Sequence, residues 1–179
     1  MRSRTSSRAE LVGAVLLASV VLSVVWTTEA SAEPVLGVDA HGALAFKNGV
    51  RPAVGGTVFA GYSLDLEPVL VEPELAVGLE GYPGQSVLAF RGMGGVRVGF
   101  TGPVEPSLFL HLGYGFTKPF TAGVTSSLSS AFAIDSGVSV DYRAERWLTV
   151  GGTLGYEGLI GHDSLHGIFL GPRVAFWFH

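Results

Sequence analysis

Between Leu88 and Thr101 the side chains alternate between two kinds. Even positions carry Leu, Phe, Gly or Val and no charge, whereas Arg91 and Arg97 both occupy odd positions. A period of two predicts a β-strand with one apolar face. The segment is 14 residues long, whereas strands of soluble sheets usually have about five or six residues. Similar segments recur about eight times along the chain, which predicts a sheet of eight long strands.

Turn signals separate these segments at regular intervals, and no stretch shows a sustained helical period. Frequent glycine also disfavours helix. Strands that follow one another through short connections favour an all-β, antiparallel, up-and-down sheet that closes on itself as an eight-stranded barrel. The predicted turns are residues 47–52, 67–68, 83–86, 102–103, 118–127, 144–146 and 161–166.

The two faces of the predicted strands differ in chemistry. One phase, meaning every second residue of a strand, is aliphatic and aromatic, and no charged side chain falls in it on any strand. In the second strand this apolar phase holds Val54, Val58, Tyr62, Leu64 and Leu66. The other phase mixes charges of both signs with Gly, Ala, Ser and Thr. Alternation alone fits either a soluble barrel with an apolar interior or a membrane barrel with an apolar exterior.

The composition of the polar phase favours the membrane barrel. A water-facing exterior is commonly about a quarter to a third charged, but this phase is dominated by small residues. After the predicted leader, Lys47 and Lys118 are the only lysines. Small side chains are better suited to a narrow lumen, where they leave room for a few long charged ones.

Aromatic residues of the apolar phase fall at two heights when the strands run alternately up and down. Two aromatic belts around an aliphatic band are typical of a protein that crosses a bilayer. Toward one rim lie Phe46, Phe90, Tyr114, Phe116, Phe132 and Tyr156; toward the other lie Tyr62, Phe100, Tyr142, Phe176 and Phe178.

The first 32 residues have the pattern of an export signal. Three arginines precede an apolar run from Leu11 to Trp26, and Ala30-Ser31-Ala32 supplies small residues for cleavage before Glu33. The alternative is a retained membrane anchor, although the run is shorter than the ~20 residues that span a bilayer as a helix. We therefore assign residues 1–32 to a signal peptide and 33–179 to the barrel domain.

Charge and cysteine content narrow the function classes for the remaining 147 residues. Eight basic and 13 acidic residues give them a net charge of −5, which argues against binding to nucleic acid. The absence of cysteine excludes a disulfide framework, a thiolate metal site and a lipid-anchored cysteine. Backbone hydrogen bonds and packing must hold the fold together.

The C-terminal segment alternates Gly171, Val174, Phe176 and Phe178 and resembles the terminal strand by which bacterial outer-membrane barrels are recognised for assembly. It departs from that pattern by one residue, because His179 follows the last aromatic residue. Over residues 35–179 the chain resembles the small eight-stranded outer-membrane barrels of the OmpA and OmpX type. The resemblance implies a protein of the outer membrane of a Gram-negative type of bacterium that contacts its lipids and the barrel-assembly machinery. We expect a monomer.

Eight strands enclose a lumen just wide enough for side chains. We therefore expect the polar phase to pack as a network of ion pairs, because an unpaired charge is costly in a medium of low dielectric constant. We name this set the lumen charge network; its members are Glu72, Glu74, Glu80, Glu105 and Glu157 with Arg91, Arg97 and Arg173. His41 and His111, also in this phase, are expected to be hydrogen-bonded filler.

One predicted loop could carry chemistry, because His162, Asp163, Ser164 and His166 lie close together in sequence. They could form a hydrolase site like that of the outer-membrane lipid A deacylases, or His162, Asp163 and His166 could form a metal site. However, no acidic residue of the lipid-facing phase could orient such a histidine, and Leu165 breaks the deacylase pattern His-x-Ser-Asn. We expect no catalytic residue, cofactor or metal, and no enzyme.

The sequence favours a structural or envelope-interaction role in the outer membrane. Two alternatives remain open: a narrow channel or carrier for small or hydrophobic molecules, and a lipid-modifying enzyme of the membrane surface. With both chain ends on the periplasmic side, the connections after the first, third, fifth and seventh strands face outward. They are short for this architecture, so large adhesive loops are not expected.

Overall fold

The computed structural model describes residues 32–46, 49–83, 86–119, 129–161 and 164–178. They form eight antiparallel strands in one closed barrel, which confirms the predicted fold class. The strands are β1 (Ala32–Phe46), β2 (Val50–Asp65), β3 (Val69–Tyr82), β4 (Val87–Phe100), β5 (Val104–Pro119), β6 (Ser129–Glu145), β7 (Leu148–Ile160) and β8 (Leu165–Trp177).

Each strand pairs with the next, and β8 pairs with β1 from Val35 opposite Trp177 to Ala45 opposite Gly167. Closure leaves no edge strand with unpaired backbone groups. We call the end that holds the start of β1 and the end of β8 the turn end, and the opposite end the loop end. Among the described residues, no helix is long and apolar enough to cross a membrane.

Several strands extend further than the sequence predicted. Residues 51–52 belong to β2 rather than to a turn, β5 continues to Pro119, β6 to Glu145, and His166 lies in β8. Pro52 is tolerated because β2 has no pairing with β3 before Val54, so no partner needs its missing N–H. The extension of β5 places Lys118 in the apolar phase, where a charge was not expected; it is exposed at the loop end.

Some predictions fall outside the described residues. They are the signal peptide up to residue 31, residues 47–48 and 84–85 of two predicted turns, the loop over residues 120–127, His162 and Asp163, and the C-terminal His179.

The apolar phase faces outward and the polar phase faces the lumen. Leu75 is 72% exposed, whereas eight carboxylate side chains and three arginines are buried among the described residues. Leu64 is an exception to the predicted phase, because it is only 4% exposed. The pairing of β2 with β3 is interrupted just before it, opposite Pro73, and the alternation of exposure fails there.

Candidate functional site

The buried charges nearer the loop end surround one guanidinium group. Nη1 of Arg91 lies 2.7 Å from Oδ1 of Asp135 and 2.8 Å from Oε2 of Glu157, and Nη2 lies 3.6 Å from Oε2 of Glu80. The Tyr82 hydroxyl donates to the same Oε2 of Glu80 at 2.6 Å. We call Arg91, Glu80, Asp135, Glu157 and the adjacent His41 the loop-side cluster.

A second group of charges lies nearer the turn end and contains two arginines. Nε of Arg97 donates to Oε1 of Glu74 at 3.0 Å and lies 3.5 Å from Glu72. Arg173 lies 3.6 Å from Glu74 and 3.4 Å from Asp141. These five residues are the turn-side cluster. Their contacts are shared rather than paired one to one, so removing a single arginine would expose several carboxylates to unbalanced repulsion.

Three phenylalanine rings lie in the lumen and touch both clusters. Phe109 lies 5.0 Å from the guanidinium carbon of Arg97, and Phe59 lies 4.1 Å from that of Arg173. Phe169 packs against His41 with ring centroids 4.8 Å apart and the ring planes tilted by 40°. Sequence reasoning missed this aromatic layer, because it treated the lumen phase as small and polar. The sequence did contain a signal for it. Each of the three phenylalanines stands between two neighbours that face outward, so its own side chain must face the lumen.

Each of these rings lies opposite a glycine on the neighbouring strand. Phe59 is paired with Gly37, Phe109 with Gly137 and Phe169 with Gly155. A Cβ at Gly155 would lie 2.6 Å from Cζ of Phe169, and one at Gly137 would lie 2.9 Å from Cζ of Phe109. The glycines therefore provide the space that the rings occupy, as expected for small residues in a narrow lumen.

Replacing Gly37 with alanine is expected to lower the free energy of unfolding by about 1–3 kcal/mol, the usual cost of overpacking a core. The added Cβ would overlap Cζ of Phe59 and lie 2.7 Å from the carbonyl oxygen of Val174. Denaturant titration of the protein in detergent measures the loss.

Gly42 provides the matched control on the same strand. An added Cβ there meets no atom within 4 Å, so Gly42→Ala should change the stability by less than about 0.5 kcal/mol. Similar losses in the two variants would contradict the packing of Phe59 over Gly37.

Glu105 forms its ion pair with a residue other than Arg91, Arg97 and Arg173, the arginines expected to pair with it. Its Oε1 lies 2.8 Å from Nη2 of Arg143, whose guanidinium stacks 4.4 Å from the Trp177 ring at the turn end. Arg143 is not a member of the lumen charge network defined from the sequence. The other seven members of the lumen charge network are divided between the two clusters described above.

The two lumen histidines differ. His111 meets the expectation of hydrogen-bonded filler, since its Nε2 lies 2.8 Å from Oε2 of Glu74. His41 does not, because neither ring nitrogen has a hydrogen-bond partner although the residue is only 7% exposed.

The residues of the last loop that the structure describes do not assemble into a nucleophile and base. The Ser164 hydroxyl donates to the carbonyl of Gly161 at 2.9 Å, a local turn contact. His166 instead lies beside Tyr156, with 2.9 Å between its Nδ1 and the phenol oxygen.

The predicted belt residues lie on the outside at the two ends of the barrel. At the loop end, Phe90 stacks on Phe116 at 5.3 Å between centroids, and Tyr114 meets Phe132 edge-on at 6.2 Å. At the turn end, Phe176 stacks on Trp147 at 6.1 Å. Further belt positions that are exposed are Phe46 and Tyr156 at the loop end and Tyr62, Phe100, Tyr142 and Phe178 at the turn end.

Side chains fill the lumen that the described residues enclose. Two cavities there have volumes of about 10 Å³ and 20 Å³, room for about one water molecule each. One is bordered by Arg97, Arg173 and Asp141 and the other by the three phenylalanines.

Solved structures share this architecture at low sequence identity. Neisserial surface protein A (NspA) superposes with a TM-score of 0.67 and 15% identity over 83% of this chain and 99% of NspA. The attachment invasion locus protein Ail of Yersinia pestis gives 0.57 and 14% over 84% and 100%. The outer-membrane enzyme PagL gives 0.51 and 16% over 76% and 97%.

No protein-family model and no curated protein sequence matches the chain. These three solved structures are a surface protein, an attachment invasion locus protein and an enzyme, and all three share one architecture. The similarity therefore shows the fold and does not indicate an activity. The chain has the fold of the small eight-stranded outer-membrane β-barrels.

Proposed function

We propose that this chain is an integral outer-membrane barrel, closed to permeation, with a structural or envelope-interaction role. The observation that carries the proposal is the inversion of its two faces. Apolar side chains such as Leu75 and Leu108, 72% and 64% exposed, face outward, while eight carboxylates and three arginines of the described residues are buried in the lumen. Exposed apolar surface of this extent is unfavourable in water and favourable in lipid.

The charged exterior residues support the same orientation. Those that are exposed on the described strands and turns lie at the two ends of the barrel, where headgroups and water begin. They are Asp65, Glu67, Glu145 and Arg146 at the turn end and Lys118 at the loop end.

Cell fractionation tests the location. We expect the protein in the outer-membrane fraction, with a migration in gel electrophoresis that changes on heating. A soluble periplasmic pool would contradict the proposal. We further propose that the protein acts as a monomer among outer-membrane lipids, and that Phe176 and Phe178 contribute to recognition by the assembly machinery.

The absence of a pore is a separate expectation. Because the aromatic layer and the two charge clusters fill the lumen, reconstitution into planar bilayers should give no steady single-channel current. A general porin under the same conditions serves as the positive control. Reproducible conductance steps from the heat-modifiable, folded form would contradict the closed lumen and favour the channel alternative.

The described residues of the last loop, Ser164 and His166, do not favour the enzyme alternative. Ser164 is engaged in a turn with Gly161, and His166 bonds to Tyr156. The fold shared with PagL does not transfer its activity, and we therefore propose no catalytic role.

A further inference from the structure

We propose that His41, Glu80 and Glu157 form a binding site for one divalent transition-metal cation of the Zn²⁺ class inside the barrel. One ligand atom from each residue lies within 4.8 Å of the other two, and all three residues are buried. This inference goes beyond the proposed envelope role and does not depend on it.

The strand register brings the three residues together. His41 on β1 and Glu80 on β3 are both paired with Gly55 on β2, so they lie in one row with a glycine between them. A Cβ at Gly55 would lie 2.9 Å from Nε2 of His41 and 3.1 Å from Cγ of Glu80. Glycine at this position therefore lets the imidazole and the carboxylate approach each other.

The cluster contains buried polar atoms that could serve as metal ligands. Both ring nitrogens of His41 and the Oε1 atoms of Glu80 and Glu157 are buried without a hydrogen-bond partner. Orphaned atoms of this kind are rare and costly in native proteins. The arginine and the tyrosine of the site contact the Oε2 atoms instead, so one oxygen of each glutamate remains for a metal.

The charge balance favours the same occupant. Arg91 is the only cation within salt-bridge distance of Glu80, Asp135 and Glu157 among the described residues, apart from the imidazole of His41. Three carboxyl groups therefore surround one guanidinium, and anionic groups outnumber cationic ones in a buried site. A bound divalent cation offsets this excess.

The donor set selects the class of metal. One imidazole nitrogen and two carboxylate oxygens suit Zn²⁺, which binds such ligands at about 2.0–2.2 Å and keeps a fourth position for water. Ca²⁺ requires six to eight oxygen ligands, and Mg²⁺ a nearly ideal octahedron of oxygens. Ligand atoms on a tetrahedral Zn²⁺ lie about 3.4 Å apart, so the three atoms, now within 4.8 Å of one another, must move together by up to about 1.4 Å.

The test loads the full-length chain with Zn²⁺ during refolding in detergent, because the site lies deep in the lumen. After gel filtration with a weak chelator, elemental analysis should find one zinc per folded chain. His41→Gln and Glu157→Gln should each lower the occupancy at least tenfold. Heat-modifiable migration verifies that the variants have folded.

His111→Gln is the matched control. His111 is also a buried lumen histidine, but its Nε2 is already engaged by Glu74, so this variant should retain the metal. Loss of zinc in all three histidine and glutamate variants alike, or no stoichiometric zinc in the folded parent, overturns the proposal.

A spectroscopic measurement on the parent protein tests the metal site even if the His41 and Glu157 variants do not fold. Zinc-edge X-ray absorption of the loaded parent should show one imidazole and otherwise oxygen ligands. A shell with two or more imidazoles, or with water oxygens alone, overturns the assignment to His41, Glu80 and Glu157.

Discussion

Replacing Arg97 with methionine is expected to lower the free energy of unfolding by about 3–5 kcal/mol, the cost of leaving buried charges without their partner. The guanidinium contacts Glu72 and Glu74 and donates to the Ser139 hydroxyl at 2.6 Å. Methionine keeps much of the side-chain volume, so the loss reports on the charge. Denaturant titration in detergent, followed by tryptophan fluorescence, measures it.

Arg143→Met is the control for position in the barrel. The Arg143 side chain is 29% exposed and contacts one carboxylate, Glu105, so we expect a loss of about 1 kcal/mol or less for a partly solvated pair. Equal losses at the two arginines would mean that the interior is as well solvated as the rim.

A double variant isolates the ion-pair contribution. Adding Glu74→Gln to Arg97→Met removes one of the stranded charges, so part of the lost stability should return, with a coupling of about 0.5–3 kcal/mol between the two sites. No coupling would indicate that Arg97 stabilises the fold through contacts other than its ion pair with Glu74.

Arginine in place of Val58 should cost about 2–4 kcal/mol of stability in lipid, the penalty for a cation at the middle of the bilayer. Val58 faces outward, is 54% exposed and lies between Val38 of β1 and Val77 of β3, near mid-strand. Urea titration of the protein folded into phospholipid vesicles gives the difference.

Val50→Arg is the matched control, with the same substitution on the same strand. Val50 is 64% exposed at the loop end of β2, where a long cationic side chain reaches the interface at a cost of about 0–1 kcal/mol. A soluble barrel has no depth dependence, so equal tolerance at both positions would contradict membrane insertion.

Much of the fold was predictable because a barrel strand encodes its two faces in alternate residues. The alternation around Arg91 and Arg97 identified a long strand and its polar side, and seven similar segments implied closure. The errors concentrate at strand ends such as Pro52 and His166, and at Leu64. There, pairing with a particular neighbouring strand decides whether the residue continues the sheet.

The candidate site was only partly predictable. The sequence identified which charged residues face the lumen but not which of them meet, because partners such as Arg91 and Asp135 are 44 residues apart and converge through register. It also missed the phenylalanine layer, since a phenylalanine such as Phe59 in a mostly polar phase is unremarkable until Gly37 lies opposite it.

The sequence by itself therefore determined the strand period, the eight-stranded topology and the assignment of apolar and charged residues to opposite faces, because each follows from local alternation and turn chemistry. Only the tertiary structure decided how the lumen is filled. Closing the barrel set the register that places glycines opposite rings, gathers six of the eight buried carboxylates into the two arginine clusters and brings His41 beside Glu80 and Glu157. These contacts join strands that are distant in sequence, and no local pattern specifies them.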